Sequence, residues 1–353
     1  MAFVWNIPTK ILFGAGKLGE LHKEAPLGKK ALIVISNGRS TKTNGSLDKL
    51  QEELQAWGAD SVIFNKIAAN PTEPTVQEGV DFGRENNCDF IIAVGGGSAI
   101  DVAKCVKLYA AQEIPFIAIP TTAGTGSEAT RFAVVYKNGE KQSIHDLLMI
   151  PDAILFDAEP LRILPPYQRK ATLLDAFSHA AESYWSAKAT EVSQSFAKEA
   201  LRIIVALQER YFDGKTNDAE NLSLLYASYL AGKAINISET TAGHAMSYKL
   251  TSLFGISHGH AAALCNAGLW QFMAASDAVK ELSEVIGEKP FQKLLIDGEL
   301  IYSLKNARDA DFNSTLELLT HSVNPVRLKN FPVPLPEDVI RKIYRAILLG
   351  EAI

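Results

Sequence analysis

The sequence predicts an α/β domain built on a parallel sheet, followed by an all-helical domain. In the first half, short β-branched apolar runs alternate with helical patterns. After Leu164 that alternation stops at Pro165-Pro166, and nearly every later segment has helical periodicity. The chain has 353 residues, more than the roughly 250–300 at which single cores stop growing. These observations place two domains, residues 1–164 and 165–353.

Taken in order, ALIVI at 31–35 is an apolar run bounded by turn residues, and 47–57 reads as a helix. SVIF at 61–64 is the next strand, 76–86 a helix, and FIIAV at 90–94 a strand followed by a helix through Lys107. FIAI at 116–119 is a fourth strand. Strands apolar on both faces and separated by helices imply a parallel sheet covered on both sides, which binds ligands at the carboxyl ends of its strands. Beyond the boundary, helices are expected at 166–187, 191–212, 217–235, 239–253, 259–275, 277–285 and 335–348.

Composition excludes several classes. Net charge is −5 with basic residues dispersed, which argues against nucleic acid, whose phosphates demand a concentrated basic surface. Three scattered cysteines, Cys88, Cys105 and Cys265, make neither a disulfide framework nor a thiolate zinc site. No leader pattern and no apolar run long enough to cross a membrane is found, so a reduced cytoplasmic protein is expected.

Two glycine-rich stretches compete for a nucleotide. Gly14 to Gly19 matches G-x-G-x-x-G after a short apolar run, but no acidic residue ends the following strand, and a tight turn into a surface helix accounts for it better. GGGSAID at 95–101 follows the strand at 90–94 directly and opens a helix. Its glycines admit a pyrophosphate close to the backbone, and Ser98 and the helix-start N–H groups donate to it. PTTAGTGSE at 120–128 is a second loop of hydroxyls after a buried strand. Two such loops converging on one crevice favour a dinucleotide.

In the second half, Asp175 and His179 lie four residues apart on a long expected helix, so they share one face. Such a pair is either a surface contact or the start of a divalent-metal site. His244 and His258 are too far apart on one straight helix, about 21 Å, to share an ion. Gly255 and Ser257 offer a break that would bring both imidazoles to one point. One carboxylate and three imidazoles suit Fe²⁺ or Zn²⁺, and Mn²⁺ is also accepted.

Together GGGSAIDVAK at 95–104, PTTAGTGSE at 120–128, LLDAFSHAAESYWS at 173–186, GHAMSYKL at 243–250, SHG at 257–259 and NPVRL at 324–328 resemble the iron-dependent alcohol dehydrogenases, over nearly the whole chain. The resemblance implies a Rossmann-like N-terminal domain, a helical C-terminal domain and a metal in the cleft between them. It assigns the metal to Asp175, His179, His244 and His258. It places the pyrophosphate on Gly96, Gly97 and Ser98, with Asp101 in the same run, and sets Thr121 and Thr122 near the nicotinamide. It makes Lys141 a cofactor contact and Gly14–Gly19 a structural turn.

Departures from the family pattern refine these expectations. Where many members carry an acidic residue that selects NAD, this chain has Ser36 with Arg39 close behind, which favours the 2′-phosphate of NADPH. Tyr248 stands where many members have a proton-relay histidine, and His260 replaces a residue that is usually small or apolar, so Tyr248 and His260 are candidates for the relay, beside the cofactor ribose or water. Arg131 and Lys249 add cations at the expected substrate end, either as surface ion-pair residues or as contacts to an anionic substrate. The run HAMSYKLTSLFGISHGHAAALC resembles the phosphonoacetaldehyde reductase branch. The expected activity is reduction of a small, anionic aldehyde, such as phosphonoacetaldehyde, to its alcohol, 2-hydroxyethylphosphonate. A generic short-chain alcohol dehydrogenase and a lyase of the dehydroquinate-synthase type are the alternatives. The apolar Phe3-Val4-Trp5 hints at an intersubunit strand in a homodimer.

Overall fold

The computed structural model describes residues 9–38, 43–68, 70–110, 113–138, 140–302, 304 and 311–351. Arg39 and Phe3–Trp5, where an intersubunit strand was expected, lie outside them. The described residues form two compact units: one runs up to Leu164 and takes in Asn217–Leu225, and the other holds Pro165–Thr216 and the chain from Tyr226 onward.

The first unit is a six-stranded sheet, every pairing parallel. Its strands are β1 (Lys10–Gly14), β2 (Lys30–Ser36), β3 (Asp60–Ile67), β4 (Phe90–Gly95), β5 (Phe116–Pro120) and β8 (Ala153–Asp157), in the order β1-β8-β5-β4-β2-β3. The continuous apolar runs divide between its two faces by strand alternation. Leu32, Val34, Ile91, Ala93, Phe116 and Ala118 pack with helices α2 (Glu73–Glu85) and α3 (Gly97–Tyr109). Their neighbours Ile33, Ile35, Ile92, Val94, Ile117 and Ile119 pack on the other face with Leu47, Leu50 and Leu54 of helix α1 (Ser46–Trp57). Strand β8 is not among the four strands expected from sequence, yet AILFD is buried throughout and joins β5 to β1. Strands β6 (Phe132–Lys137) and β7 (Glu140–His145) form a separate antiparallel hairpin.

A four-residue helix, α4 (Glu159–Arg162), precedes the second unit. That unit is built around two helices. Helix α5 (Pro166–Trp185) starts with proline at its first position, where no N–H is needed. It is buried on every side from Leu173 to Trp185. Helix α6 (Glu191–Phe212) is capped by a reciprocal Thr190–Ser193 box and packs along α5. Helix α7 spans Asp218–Ser238 and α8 spans Ala242–Phe254. Helix α8 stops at Gly255, whose φ of 67° is left-handed, and Ser257 then starts α9 (His258–Phe272). The helix break expected from sequence is present. Helices α10 (Asp277–Ile286), α11 (Pro290–Asp297), α12 (Phe312–His321), α13 (Pro325–Leu328) and α14 (Glu337–Leu349) complete the unit. Helices α11, α12 and α13, of 8, 10 and 4 residues, were not expected from the sequence. No helix among the described residues is long and apolar enough to cross a membrane.

Candidate metal centre and nucleotide loops

Helix α9 crosses α5 so closely at Gly259 that a Cβ there would stand 2.2 Å from the Ala171 carbonyl oxygen and 2.5 Å from the Asp175 Cβ. Only a glycine fits. The crossing sets His258, the first residue of α9, beside Asp175. His244, on the first turn of α8, closes the group. Ligand atoms of Asp175, His244 and His258 all lie within 4.8 Å of one another. The His244 Nε2 and Asp175 Oδ1 atoms are 3.6 Å apart. His179 stacks on His244, with ring centroids 4.4 Å apart. All four predicted ligands are thus brought together, three of them with ligand atoms converging and His179 with its ring against the group.

Asp175 is 4% exposed and His244 2%, yet Asp175 Oδ1 and His244 Nε2 have no hydrogen-bond partner among the described residues. Buried polar atoms are almost always bonded, and these two point at one another's neighbourhood across too long a gap. A divalent cation satisfies both, so the residues fit the metal. Burial pushes the Asp175 carboxyl up, but the histidines His179, His244 and His258 outweigh it and hold the group well below the ordinary carboxylate range.

The support for His244 is a residue not anticipated from sequence, Glu182. It is fully buried on α5, one turn beyond His179. Its Oε1 accepts from the His244 Nδ1 at 2.6 Å, the His244 backbone N–H at 3.1 Å and the Asn266 Nδ2 at 2.8 Å. Its Oε2 accepts from the N–H and hydroxyl of Thr241 at 2.5 and 2.8 Å. Glu182 therefore caps the start of α8 from a neighbouring helix and fixes the His244 proton on Nδ1, which leaves Nε2 for a metal. Burial raises the Glu182 carboxyl, but His244, Asn266 and Thr241 outweigh it and the net shift is downward. In the metal-free protein burial lowers His244 while Glu182 and Asp175 raise it, to about 9. The signal for Glu182 was present: it follows Asp175 by seven residues, on the same helical face, in a stretch otherwise small or apolar. On the other side, Ser247 donates to the His244 carbonyl and lies 3.3 Å from the His258 Nδ1.

The neighbours divide. Tyr248 stacks on His258, centroids 5.5 Å apart. Lys249, five residues after His244, is turned roughly 140° around the helix from it and does not join the group. His260 is placed elsewhere than the proton relay expected of it. It is fully buried, its Nε2 donates to the Leu300 carbonyl at 2.8 Å, and its Nδ1 lies 3.2 Å from the Tyr167 hydroxyl. That hydroxyl accepts the Ser257 N–H at 2.9 Å. His260 thus holds the start of α9, and burial lowers its pKa, which keeps it neutral. Arg131, in the first unit, lays its guanidinium 4.4 Å over the Phe132 ring.

In the first unit the glycine loop is a cradle that side chains would fill. A Cβ on Gly97 would stand 2.7 Å from the Thr125 Cγ2, and one on Gly96 would stand 3.2 Å from the Thr122 Oγ1. Gly96 starts α3 without a side-chain cap, so the first N–H groups are left for an anion. Thr121 donates its N–H to the Gly95 carbonyl at 3.0 Å, locking the two loops together. These residues fit a pyrophosphate. Ser36 ends β2 and Lys141 lies half-buried on β7. Asp101 is not a cofactor contact: its carboxylate is buried and accepts from the Ser127 hydroxyl at 2.5 Å and the Val134 N–H at 2.9 Å. Buried Lys104 binds Ser127, Thr130 and the Phe132 carbonyl at 2.9, 3.0 and 2.7 Å. The Gly14–Gly19 stretch is a turn held by the protein's own anion, since Asp157 accepts the N–H groups of Gly16 and Leu18, each at 2.9 Å.

Comparison with known proteins agrees with both halves. Residues 8–158 match the family model described as iron-containing alcohol dehydrogenase, and 170–338 match the C-terminal model of the Fe-containing alcohol dehydrogenase family. The chain is 32% identical over 286 residues to a sulfoacetaldehyde reductase of Bilophila wadsworthia, covering 75% of this chain and 73% of that one. The fold superposes on an iron-containing alcohol dehydrogenase of Thermotoga maritima at a TM-score of 0.86, with 30% identity over 98% of this chain and 99% of that one. It also superposes on a sulfoacetaldehyde reductase of Bifidobacterium kashiwanohense in complex with NAD+, at a TM-score of 0.87, with 26% identity over 99% of each chain.

Proposed function

We propose, from the premise that this chain belongs to the iron-containing alcohol dehydrogenase family, that Asp175, His179, His244 and His258 hold its metal and that its substrate is a short anionic aldehyde. The chain is an enzyme of the alcohol dehydrogenase and aldehyde reductase class. The observation that carries the metal reading is the convergence of buried Asp175 Oδ1 and His244 Nε2, each without a hydrogen bond, on His258. Bound there, the metal supplies Lewis-acid polarisation of a carbonyl oxygen, and a nicotinamide coenzyme supplies the hydride. The chain's own residues do the rest. Glu182 and Ser247 hold the imidazoles in their ligating tautomers. The Gly96–Ser98 backbone receives the pyrophosphate. Tyr248, beside His258, is placed to hand a proton to the product oxygen.

Phosphonoacetaldehyde, reduced to 2-hydroxyethylphosphonate, is the specific substrate proposed. Its support is the sequence run around His244 and His258, and the likeness to two enzymes named for sulfoacetaldehyde, another two-carbon aldehyde carrying an acid group. NADPH is proposed as the preferred coenzyme because Ser36 ends β2 where a carboxylate would repel a 2′-phosphate. A homodimer is proposed because the edge strand β1 shows Ile11 and Phe13 at 42% and 48% exposure. Metal analysis with an NADPH-oxidation assay on an aldehyde panel tests the core of this. One divalent ion per chain and turnover of phosphonoacetaldehyde above its uncharged analogue are expected. No metal and no turnover of any aldehyde would overturn it, and equal efficiency with NADH would overturn the coenzyme assignment alone.

A further inference from the structure

Beyond the ligand histidines the helical unit holds a cation that a tyrosine ring links to the metal centre. Arg327 sits on α13, the four-residue helix Pro325–Leu328. Its Nη1 donates to the Tyr248 hydroxyl at 3.1 Å, and its Cζ lies 5.1 Å from the Tyr248 ring centroid. The same ring stacks on His258, tilted by 17°. A guanidinium is therefore one aromatic ring away from a metal-ligating imidazole. Among the described residues no carboxylate lies within ion-pair distance of Arg327, whereas Arg341 of the same unit holds Glu317 and Glu337.

The segment that carries Arg327 is fixed in place. Asn324 caps α13 by accepting the Val326 N–H at 2.9 Å. Asn330, 7% exposed, donates to the carbonyls of Ser238 and Thr240 at 2.8 and 3.0 Å. It also accepts the Ser186 hydroxyl at 3.0 Å and, through its backbone carbonyl, the Ala187 N–H at 3.0 Å. The strap is thus tied to the junction of α7 and α8, where Glu182 holds Thr241, and to the end of α5. Among the described residues one guanidinium N–H is spent on Tyr248, and the other four stand in a planar fork that suits a tetrahedral oxyanion.

We propose that Arg327 selects the substrate: it grips the acid group of a short aldehyde whose phosphonate or sulfonate is borne on the carbon next to the carbonyl. This assigns to Arg327 the part that sequence gave to Arg131 and Lys249, and it rests on the aldehyde-reductase reading above. Tyr248 is its positioning partner, orienting the guanidinium through the hydroxyl while its ring stays on His258.

The test uses the metal-loaded enzyme as wild type, Arg327→Met and Arg327→Lys. KM and kcat are measured with phosphonoacetaldehyde, sulfoacetaldehyde and uncharged propanal. Binding of 2-hydroxyethylphosphonate is measured by calorimetry with oxidised coenzyme present, and metal content and Tm are checked for each variant. In Arg327→Met, KM for the charged aldehydes rises about 10- to 100-fold more than for propanal, the size of a lost charge-assisted hydrogen bond. Binding of 2-hydroxyethylphosphonate weakens by a similar factor, and Arg327→Lys recovers part of both. Equal losses on charged and uncharged aldehydes, or wild type without preference for the charged ones, overturn the proposal. No turnover of any aldehyde with Arg327-dependent 2-hydroxyethylphosphonate binding retained would sink the reductase reading and leave the anion site standing.

Discussion

The metal centre and the nucleotide loops handle buried polarity in opposite ways. Around Asp175 and His244 the surrounding carboxylate, Glu182, is fully hydrogen-bonded, while Asp175 Oδ1 and His244 Nε2 have no hydrogen-bond partner among the described residues. Around Gly96 and Gly97 the buried charges Asp101 and Lys104 are bonded to Ser127, Thr130 and backbone, and what is left open is bare backbone. One site offers side-chain atoms, the other excludes side chains. The first should then fail when a side chain is altered, the second when one is added.

The largest effect expected is at the centre itself. Asp175→Asn removes the only carboxylate among the proposed ligands. It should leave the enzyme without bound metal by elemental analysis and cut kcat/KM by about 1000-fold or more, since the metal contributes several kcal/mol of charge stabilisation. A chelator should reproduce this in wild type, with recovery on adding Fe²⁺ or Zn²⁺. Full activity in metal-free Asp175→Asn would break the comparison outright.

Glu182→Gln keeps the size of the side chain but substitutes a donor for one of two acceptor oxygens. Metal affinity, read by competition with a chromogenic chelator, should fall about 10- to 100-fold, the usual cost of losing the partner that orients a ligating histidine. Fully wild-type affinity would make Glu182 a helix cap and no more. The smallest effect is in the other unit. Gly97→Ala brings a Cβ to 2.7 Å from the Thr125 Cγ2. Coenzyme KM should rise by about tenfold, or roughly 1.4 kcal/mol, with metal content unchanged. If Gly97→Ala also lost metal, the two sites would not be separable in the way drawn here.

Much of this was legible beforehand because the signals were local. The break between α8 and α9 was visible in Gly255, and the ligand spacing in Asp175 and His179. What was hidden depends on helices meeting. Glu182 gains its meaning from Thr241 and Asn266, which are 59 and 84 residues away. Arg327 reaches Tyr248 across 79 residues. His260 and Asp101 looked functional because they lie in motif-rich runs, but His260, two residues after His258 on α9, faces another way, and both are consumed by packing partners. Strand β8 was missed because its evidence of burial is supplied by its neighbours in the sheet.

Helical glycines are the first positions that an engineer seeking thermal stability replaces with alanine, since each commonly yields a fraction of a kcal/mol. In the described helical unit that practice would backfire at three of them. Gly243 leaves room for Asn266, whose Oδ1 would lie 2.0 Å from an added Cβ, Gly259 for Asp175, and Gly268 for Ile343 at 2.6 Å. Helix packing and the metal centre share the same atoms at Gly259, so hardening the fold there cannot be done without moving the ligand.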